Sequence, residues 1–415
     1  MKKPLKIVIS GVIGNILENY DYVLYASFAV IIGQTFLSIK DPYPAMLATF
    51  AIFAAGFITR PIGAIIFGHI GDKYSRKLAL SISIMLMSFP TALIGILPAY
   101  SEIGILAPII LVIIRLLQGI SIGGETSGFM TYLMEAMPNS KRKGFIGSIA
   151  LSSTAIGLFL GFLASFLCNF YFAEVSWAWR VPFLISLPVG LVGFYIRSKL
   201  EESFEFALLK KQGGLYKSPF KELLKKHRKQ FFIICGLFIS ISVPFYIFFA
   251  FLSNFLITIL QYQPIQVSTI YLVCTTIFAV IALISGWLSD RFGAYKTLLY
   301  SSISFACLVL PIFSLILSDN FRLTLLGCVA FIVSAGLYQG AVPALIIKIF
   351  PTKVRSIGTA FSFNMVSVIF GGLTPLFLTF LIKISNNYYI VPLYLLLALL
   401  VTILTIRVSK KEGIL

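Results

Sequence analysis

About twelve apolar runs follow one another along this chain, each long enough to cross a bilayer and most separated by only short polar loops. They cover roughly residues 8–37, 45–69, 78–99, 104–134, 145–168, 180–199, 229–256, 267–289, 296–317, 322–348, 357–383 and 390–408. A helix needs about 20 predominantly apolar residues to span the hydrocarbon core. Within lipid only a helix or a closed barrel satisfies its own backbone polar groups. Runs this long predict an all-α polytopic membrane protein. The composition agrees, with 59% hydrophobic and 12% charged residues, about half the charged share of a typical soluble domain. The basic start (Lys2, Lys3, Lys6) could suggest a signal peptide. No small-residue cleavage site precedes Glu18, however, and the apolar tract continues to about Leu37. An uncleaved first membrane helix is expected.

The net charge of +18 does not point to nucleic acid, because no basic stripe carries interleaved aromatics. The cations lie in loops, and their distribution orients the chain. On the side of the termini fall 27 of the 33 Lys and Arg residues; Lys40, Arg180, Arg322 and Lys383 fall opposite, and Arg60 and Arg115 lie within runs. The positive-inside rule then puts both termini in the cytoplasm, in a cytoplasmic (inner) membrane of bacterial type. Five cysteines without CxxC spacing and two distant histidines give no metal pattern, so the cysteines read as packing residues.

One long polar stretch, Arg197 to Lys229, separates six runs from six. This predicts an N-terminal half over 1–199, a cytoplasmic linker over 200–228 and a C-terminal half over 229–415. The linker reads as amphipathic helices on an anionic membrane surface. The halves echo each other. "GHIGDKYSRK" from Gly68 and "GWLSDRFGAYK" from Gly286 align Gly68 with Gly286, Asp72 with Asp290 and Lys73 with Arg291. A second pair aligns Pro138 with Pro351 and Gly147 with Gly358. Two echoes in one order predict two parallel six-helix halves with a site between them near the midplane.

The spans hold charge where charge is costly, about 2.5–3.5 kcal/mol per group on an insertion scale. Glu18, Asp21 and Tyr25 share one face of the first span. Arg115, Gln118, Ile122 and Glu125 share one face of the fourth, and Arg60 lies in the second. One reading is structural ion pairing; the other is a proton relay, in which a desolvated carboxylate titrates and a nearby arginine sets when. Three acids against two guanidiniums leave one carboxylate over as the proton carrier, with Asp21 and Glu125 the leading candidates. The second half offers Tyr246 in "PFYIFFAF", Asn254, Tyr338, Gln339, Asn364 and Ser367. Arginine can take a carboxylate bidentately, and aromatic faces can hold an ammonium. Tyr25, Gln118, Tyr246, Tyr338, Gln339 and Asn364 are the candidate substrate ligands.

The loop from Gly68 with its weaker copy, and "RLLQGISIGG" from Arg115, resemble signatures of the major facilitator superfamily. "GNILENYDYVLYASF", "RPIGAIIFGHIGDKYSRK", "QGISIGGETSG", "AMPNSKRKGFIGS" and "WRVPFLI" together resemble its metabolite:proton symporter family, and within it the proline/glycine betaine transporters. The resemblance covers essentially the whole chain. It implies a gating role for Gly68, Gly71, Asp72, Lys73, Arg76, Lys77, Gly286, Asp290 and Arg291. Gly68 would allow close helix approach, Asp72 would sit at the N-terminus of a second-half helix, and Arg76 would pair with Glu135, latching the outward-facing state. Two departures stand out. Ser75 replaces the usual glycine, which would relax that turn. The sequence ends at Leu415 without the coiled-coil extension of some osmosensing betaine transporters, so no osmotic activation through such a tail is expected.

The resulting expectation is a proton-coupled symporter that takes up a small zwitterion such as proline or glycine betaine. It would act as a monomer, with protons as the coupling ion, no cofactor and no nucleic-acid partner. A carboxylate cargo, such as a dicarboxylate or 2-oxo acid, is the alternative within the same family. A polytopic enzyme or a channel is the alternative of another class. Against an enzyme, the sequence holds no HExxH, no Ser–His pair and no metal cluster; against a primary pump, it holds no P-loop.

Overall fold

The computed structural model describes residues 3–135, 137, 140–172, 174–212 and 218–414. Lys2, Pro138 and Lys217 lie outside the described residues. The described residues form helices and no strands. The long helices of the first half are α1 Lys3–Ser27, α2 Pro42–Lys73, α3 Arg76–Ile96, α4 Leu106–Glu135, α5 Lys143–Tyr171 and α6 Val181–Ser198. After the linker come α7 Arg228–Tyr246, α8 Pro264–Phe292, α9 Ala294–Ile316, α10 Phe321–Gln339, α11 Arg355–Val366 and α12 Ile390–Lys411. Among the described residues eleven helical segments, from α2 onward, are long and apolar enough to cross a membrane. α1 precedes them and carries Glu18 and Asp21.

Two helices extend through an irregular turn. α7 runs through a π-helical turn, Ile247–Leu252, into Ser253–Thr258. α11 runs through a second, Ser367–Gly372, into Thr374–Ser385. Such turns insert an extra residue per turn and are frequent at functional sites. Large apolar side chains such as Ile58, Ile96, Phe232 and Ile384 stand exposed on the outside, where a bilayer would cover them.

Within the first half, α2 packs on α4, α1 on α5 and α3 on α6; between the halves, α5 meets α8 and α2 meets α11. The α2–α4 contact is backbone to backbone. A Cβ added at Gly119 would strike the carbonyl oxygen of Gly56, and one at Gly123 the carbonyl of Arg60 and, at 2.6 Å, the amide of Ala64. This close approach holds Arg60 against the face of α4 that carries Arg115 and Gln118.

The linker packs in part on the protein. It forms two short helices, Phe204–Lys211 and Pro219–Lys226. Their apolar side chains Phe206 and Leu223 are fully buried, and the second helix packs against α2 and α11. Lys211, Lys221, Lys225 and Lys226 point outward. One apolar side chain of each helix is therefore seated in the protein, while Phe204 and Leu208 stay exposed beside the lysines.

A branched side chain at the α2–α4 contact would force the backbones apart. Overpacking typically costs 1–3 kcal/mol, and backbone cannot yield as a side chain does. Gly119→Val should therefore lower the melting temperature in detergent, whereas Gly128→Ala on the same helix, where an added Cβ would meet only the end of the Leu80 side chain at 3.3 Å, should lower it less.

Candidate functional site

A central cavity of about 80 Å³ lies between the halves. Its charged wall comes from the first half: Glu18 and Asp21 from α1, Arg60 from α2 and Arg115 from α4. Tyr22 and Phe53 join them, and Phe238, Phe245 and Tyr246 of α7 and Phe363 of α11 supply the facing aromatics.

Asp21 is fully compensated. Its Oδ2 lies 3.0 Å from Arg115 Nη1, and its Oδ1 accepts from Thr91 Oγ1 and Gln118 Nε2, both at 2.9 Å. The Arg115 guanidinium lies 3.4 Å above the Tyr25 ring, which holds it flat. Its Nε and Nη2 have no hydrogen-bond partner among the described residues.

Glu125 is compensated by a residue at the start of the polar stretch that follows the sixth run. Arg197, at the end of α6, is almost completely buried and pairs with Glu125 through two nitrogens. Ser83 donates to the same carboxylate. The count of acids and guanidiniums is thus three and three. Arg197 was missed because it opens a basic stretch, and nothing in its sequence context marks it as facing inward. Glu125 does not line the cavity.

The uncompensated carboxylate is therefore Glu18. No cation lies within ion-pair distance among the described residues; Thr126 Oγ1 is 2.8 Å away and lies equally near Asn15. Arg60 is its counterpart. Its Nη1 donates to Tyr246 Oη at 3.1 Å, its guanidinium sits 3.8 Å over the Phe57 ring, and its Nε is unpartnered. Tyr246 adjoins the π-helical turn of α7 and rests on Gly371 in the turn of α11.

Several candidate ligands lie off the cavity. Tyr25 is under Arg115, and its hydroxyl donates to the Thr49 carbonyl. Gln118 is engaged with Asp21. Tyr338 donates to the Leu237 carbonyl, and Asn364 to those of Gly123 and Ala360. Asn254 and Ser367 are likewise absent from the wall. Tyr246 and Gln339 do line it. Polarity on an apolar helix flags a side chain with a buried partner as readily as one facing a cavity, and only packing separates the two.

The side that carries both termini is closed by two related contacts. Asp72 accepts from the amides of Ser356 and Ile357, at 3.2 and 2.8 Å, at the N-terminus of α11. Asp290 accepts from those of Gly144 and Phe145, at 2.6 and 2.9 Å, at the N-terminus of α5. An anion is favoured at a helix N-terminus by the exposed N–H groups and the dipole. Gly68 and Gly286 permit the approach: a Cβ on Gly68 would come within 2.7 Å of Ile357 Cα, and one on Gly286 within 2.6 Å of the Gly144 carbonyl. Gly71 lies against Ser356.

Among the described residues only the first contact carries a buried charge network. Arg76 pairs with Asp72 and, at 3.1 Å, with Glu135. Arg355 of the second half pairs with Glu135 at 2.9 Å and with Glu205 of the linker at 2.6 Å. Lys73, Lys77 and Arg291 stay outside it, with Lys73 over Tyr74 and the exposed Arg291 over Trp287. Ser75 does not relax the turn. Its backbone is extended, with φ −171°, so no glycine is needed, and its hydroxyl caps α3 by accepting from Leu78 N.

A parallel pair of helical halves around a central cavity, latched at one end by paired loop motifs, is the build of a membrane transporter rather than an enzyme. The chain belongs to the Major Facilitator Superfamily, whose family model matches residues 13–375. It is 33% identical over 412 residues to the glycine betaine/proline/ectoine/pipecolic acid transporter OusA of Dickeya dadantii, covering 96% of this chain and 82% of that one. It is 34% identical over 422 residues to the proline/betaine transporter of Escherichia coli K12, covering 99% and 84%. In fold it is similar to the proton:xylose symporter XylE bound to 6-bromo-6-deoxy-D-glucose, with a TM-score of 0.76 at 16% identity over 99% of this chain and 95% of that one. The human organic anion transporter MFSD10 is also similar, with a TM-score of 0.71 at 14% identity over 98% and 100%.

Removing Arg76 leaves Asp72 buried without its cation. Breaking a buried pair in this way costs about 3–5 kcal/mol. Arg76→Ala should lower the melting temperature and speed labelling of a cysteine introduced at Ser356, read in reconstituted protein. Asp290→Asn, which disturbs no ion pair of the network, should move both readouts less.

Proposed function

We propose that this protein is a proton-coupled symporter that takes up a small zwitterion such as proline or glycine betaine. It acts as a monomer in a bacterial cytoplasmic membrane, with both termini in the cytoplasm and the cations of its linker toward anionic lipids. No cofactor is required; protons are the coupling ion. The halves 1–199 and 229–415 rock about the central cavity, joined by the linker 200–228. The latched end is the cytoplasmic gate, formed by Gly68, Gly71, Asp72, Arg76, Glu135, Gly286 and Asp290.

One observation carries this reading. A carboxylate and a guanidinium from the same half, Glu18 and Arg60, face one cavity without an ion-pair partner, opposite an aromatic wall from the other half. Arg60 receives the carboxylate of the cargo. The faces of Tyr22, Phe53, Phe245 and Tyr246 hold its positive end, a contact worth about 2 kcal/mol or more once desolvated. The names of the relatives support the choice of cargo, since proline, glycine betaine, ectoine and pipecolic acid all join a carboxylate to a cationic nitrogen.

Glu18 carries the proton. Protonating Asp21 or Glu125 would break an existing ion pair; protonating Glu18 breaks none. Asp21, Arg115 and the Glu125–Arg197 pair hold α1, α4 and α6 in register around it. A carboxylate cargo is the second reading, favoured by the unpartnered Nε and Nη2 of Arg115, which give the wall a second guanidinium edge. The net negative charge of such a cargo would oppose an ionised Glu18.

Reconstituted vesicles with an imposed pH gradient, acid outside, test both readings. Labelled proline or betaine should accumulate, and a dicarboxylate should not; the reverse result would establish the second reading. Glu18→Gln should abolish gradient-driven accumulation while leaving exchange of labelled for unlabelled cargo intact. Normal accumulation by that variant would remove Glu18 from the coupling role.

A further inference from the structure

Buried hydroxyls in this bundle usually bond back to their own helix. Ser88 donates to the Ile84 carbonyl, Thr131 to Ser127, Thr275 to Tyr271 and Ser362 to Gly358. Four buried hydroxyls have no hydrogen-bond partner among the described residues: Ser127, Ser242, Thr359 and Ser367. The first three line the central cavity. Each is more than nine-tenths buried, at 3%, 2% and 0% exposure. A buried hydroxyl left unpaired costs about 1–3 kcal/mol. Three such groups lining one cavity from three helices point to an occupant that pairs with them.

Their heights in the bundle locate that occupant. Ser242 precedes Tyr246 by one turn on α7, about 6 Å nearer the latched end. Thr359 follows Arg355 of the latch by one turn on α11, and Ser127 lies about 12 Å above Glu135 on α4. The three hydroxyls thus lie between the Arg60–Tyr246 bond and the latch. Ser127 belongs to the first half; Ser242 and Thr359 belong to the second.

We propose that Ser127, Ser242 and Thr359 form, with the free Nε of Arg60, a carboxylate-binding subsite that is assembled from both halves and exists only while the latch is closed. It rests on the cargo reading given above and specifies how the carboxylate end is recognised. Each hydroxyl has one proton to give, and a carboxylate has about four lone-pair positions to receive three hydroxyls and one guanidinium N–H. A carboxylate bound there ties the halves together. Opening the latch withdraws Ser242 and Thr359, weakens the site and releases the cargo on that side.

Equilibrium binding of labelled proline to the purified protein tests this, with Ser242→Ala and Thr359→Ala compared against Ser242→Thr and Thr359→Ser. Hydrogen bonds to a charged group are worth about 1.5–3 kcal/mol, so each alanine variant should bind about tenfold or more weakly. The hydroxyl-bearing variants should retain most of the affinity. Melting temperatures identify any variant that fails to fold, and the two positions serve as replicates of each other. Alanine variants that fold and bind proline within twofold of the wild type would overturn the subsite. If the wild-type protein binds a dicarboxylate and neither proline nor betaine, the zwitterion reading fails. The same variants measured against the dicarboxylate then decide the subsite by the same criterion.

Discussion

A charge in the hydrocarbon core must be compensated, and the first half of this protein is arranged around that requirement. Asp21 is met by Arg115, Thr91 and Gln118; Glu125 is met by Arg197 and Ser83. These contacts tie α1, α3, α4 and α6 together at the depth where a mismatched charge is most costly. Once they are made, Glu18 and Arg60 remain, and both face the space between the halves. The cavity therefore inherits one unpaired carboxyl group and one unpaired guanidinium, beside the Asp21–Arg115 pair, from a bundle that is otherwise balanced.

The second half meets this wall with aromatics and hydroxyls instead of charge. Tyr246 crosses to Arg60 from the edge of a π-helical turn, and Gly371 in the matching turn of α11 leaves room for its ring. Charge on one side and polarisable surface on the other suit a cargo with separated charges of its own. The latch is uneven in another way. Asp72 and Asp290 both cap a helix of the opposite half, yet among the described residues only the first contact is backed by a guanidinium network, which the linker joins through Glu205. The two closures are related by the repeat but unequal in electrostatic strength.

The fold was legible because it rests on local signals. Each apolar run is long enough to be read by itself, and the echo between Gly68–Lys77 and Gly286–Lys296 needs no contacts to be seen. The charged cavity residues Glu18, Asp21, Arg60 and Arg115 stood out for an equally local reason: a charged side chain inside an apolar run is conspicuous. Gln118, Asn364, Tyr338 and Tyr25 stood out by the same criterion, yet the first three are occupied by buried partners and the ring of Tyr25 is a platform for Arg115. Composition reports that a polar group is present, and packing decides what satisfies it.

By itself the sequence determined the class of fold, the two parallel halves, the motif loops and the set of charges that must be accommodated within the membrane. These follow from segment length, apolar periodicity and residue type, which are properties of the chain taken locally. Only the tertiary structure decided which charges cancel. It drew Arg197 out of a basic stretch and onto Glu125, seated Phe206 and Leu223 of the linker in the protein, and left Glu18, Arg60 and three unpartnered hydroxyls facing one cavity. Compensation at a few ångströms depends on which residues from distant parts of the chain arrive at the same place, and helix packing alone determines that.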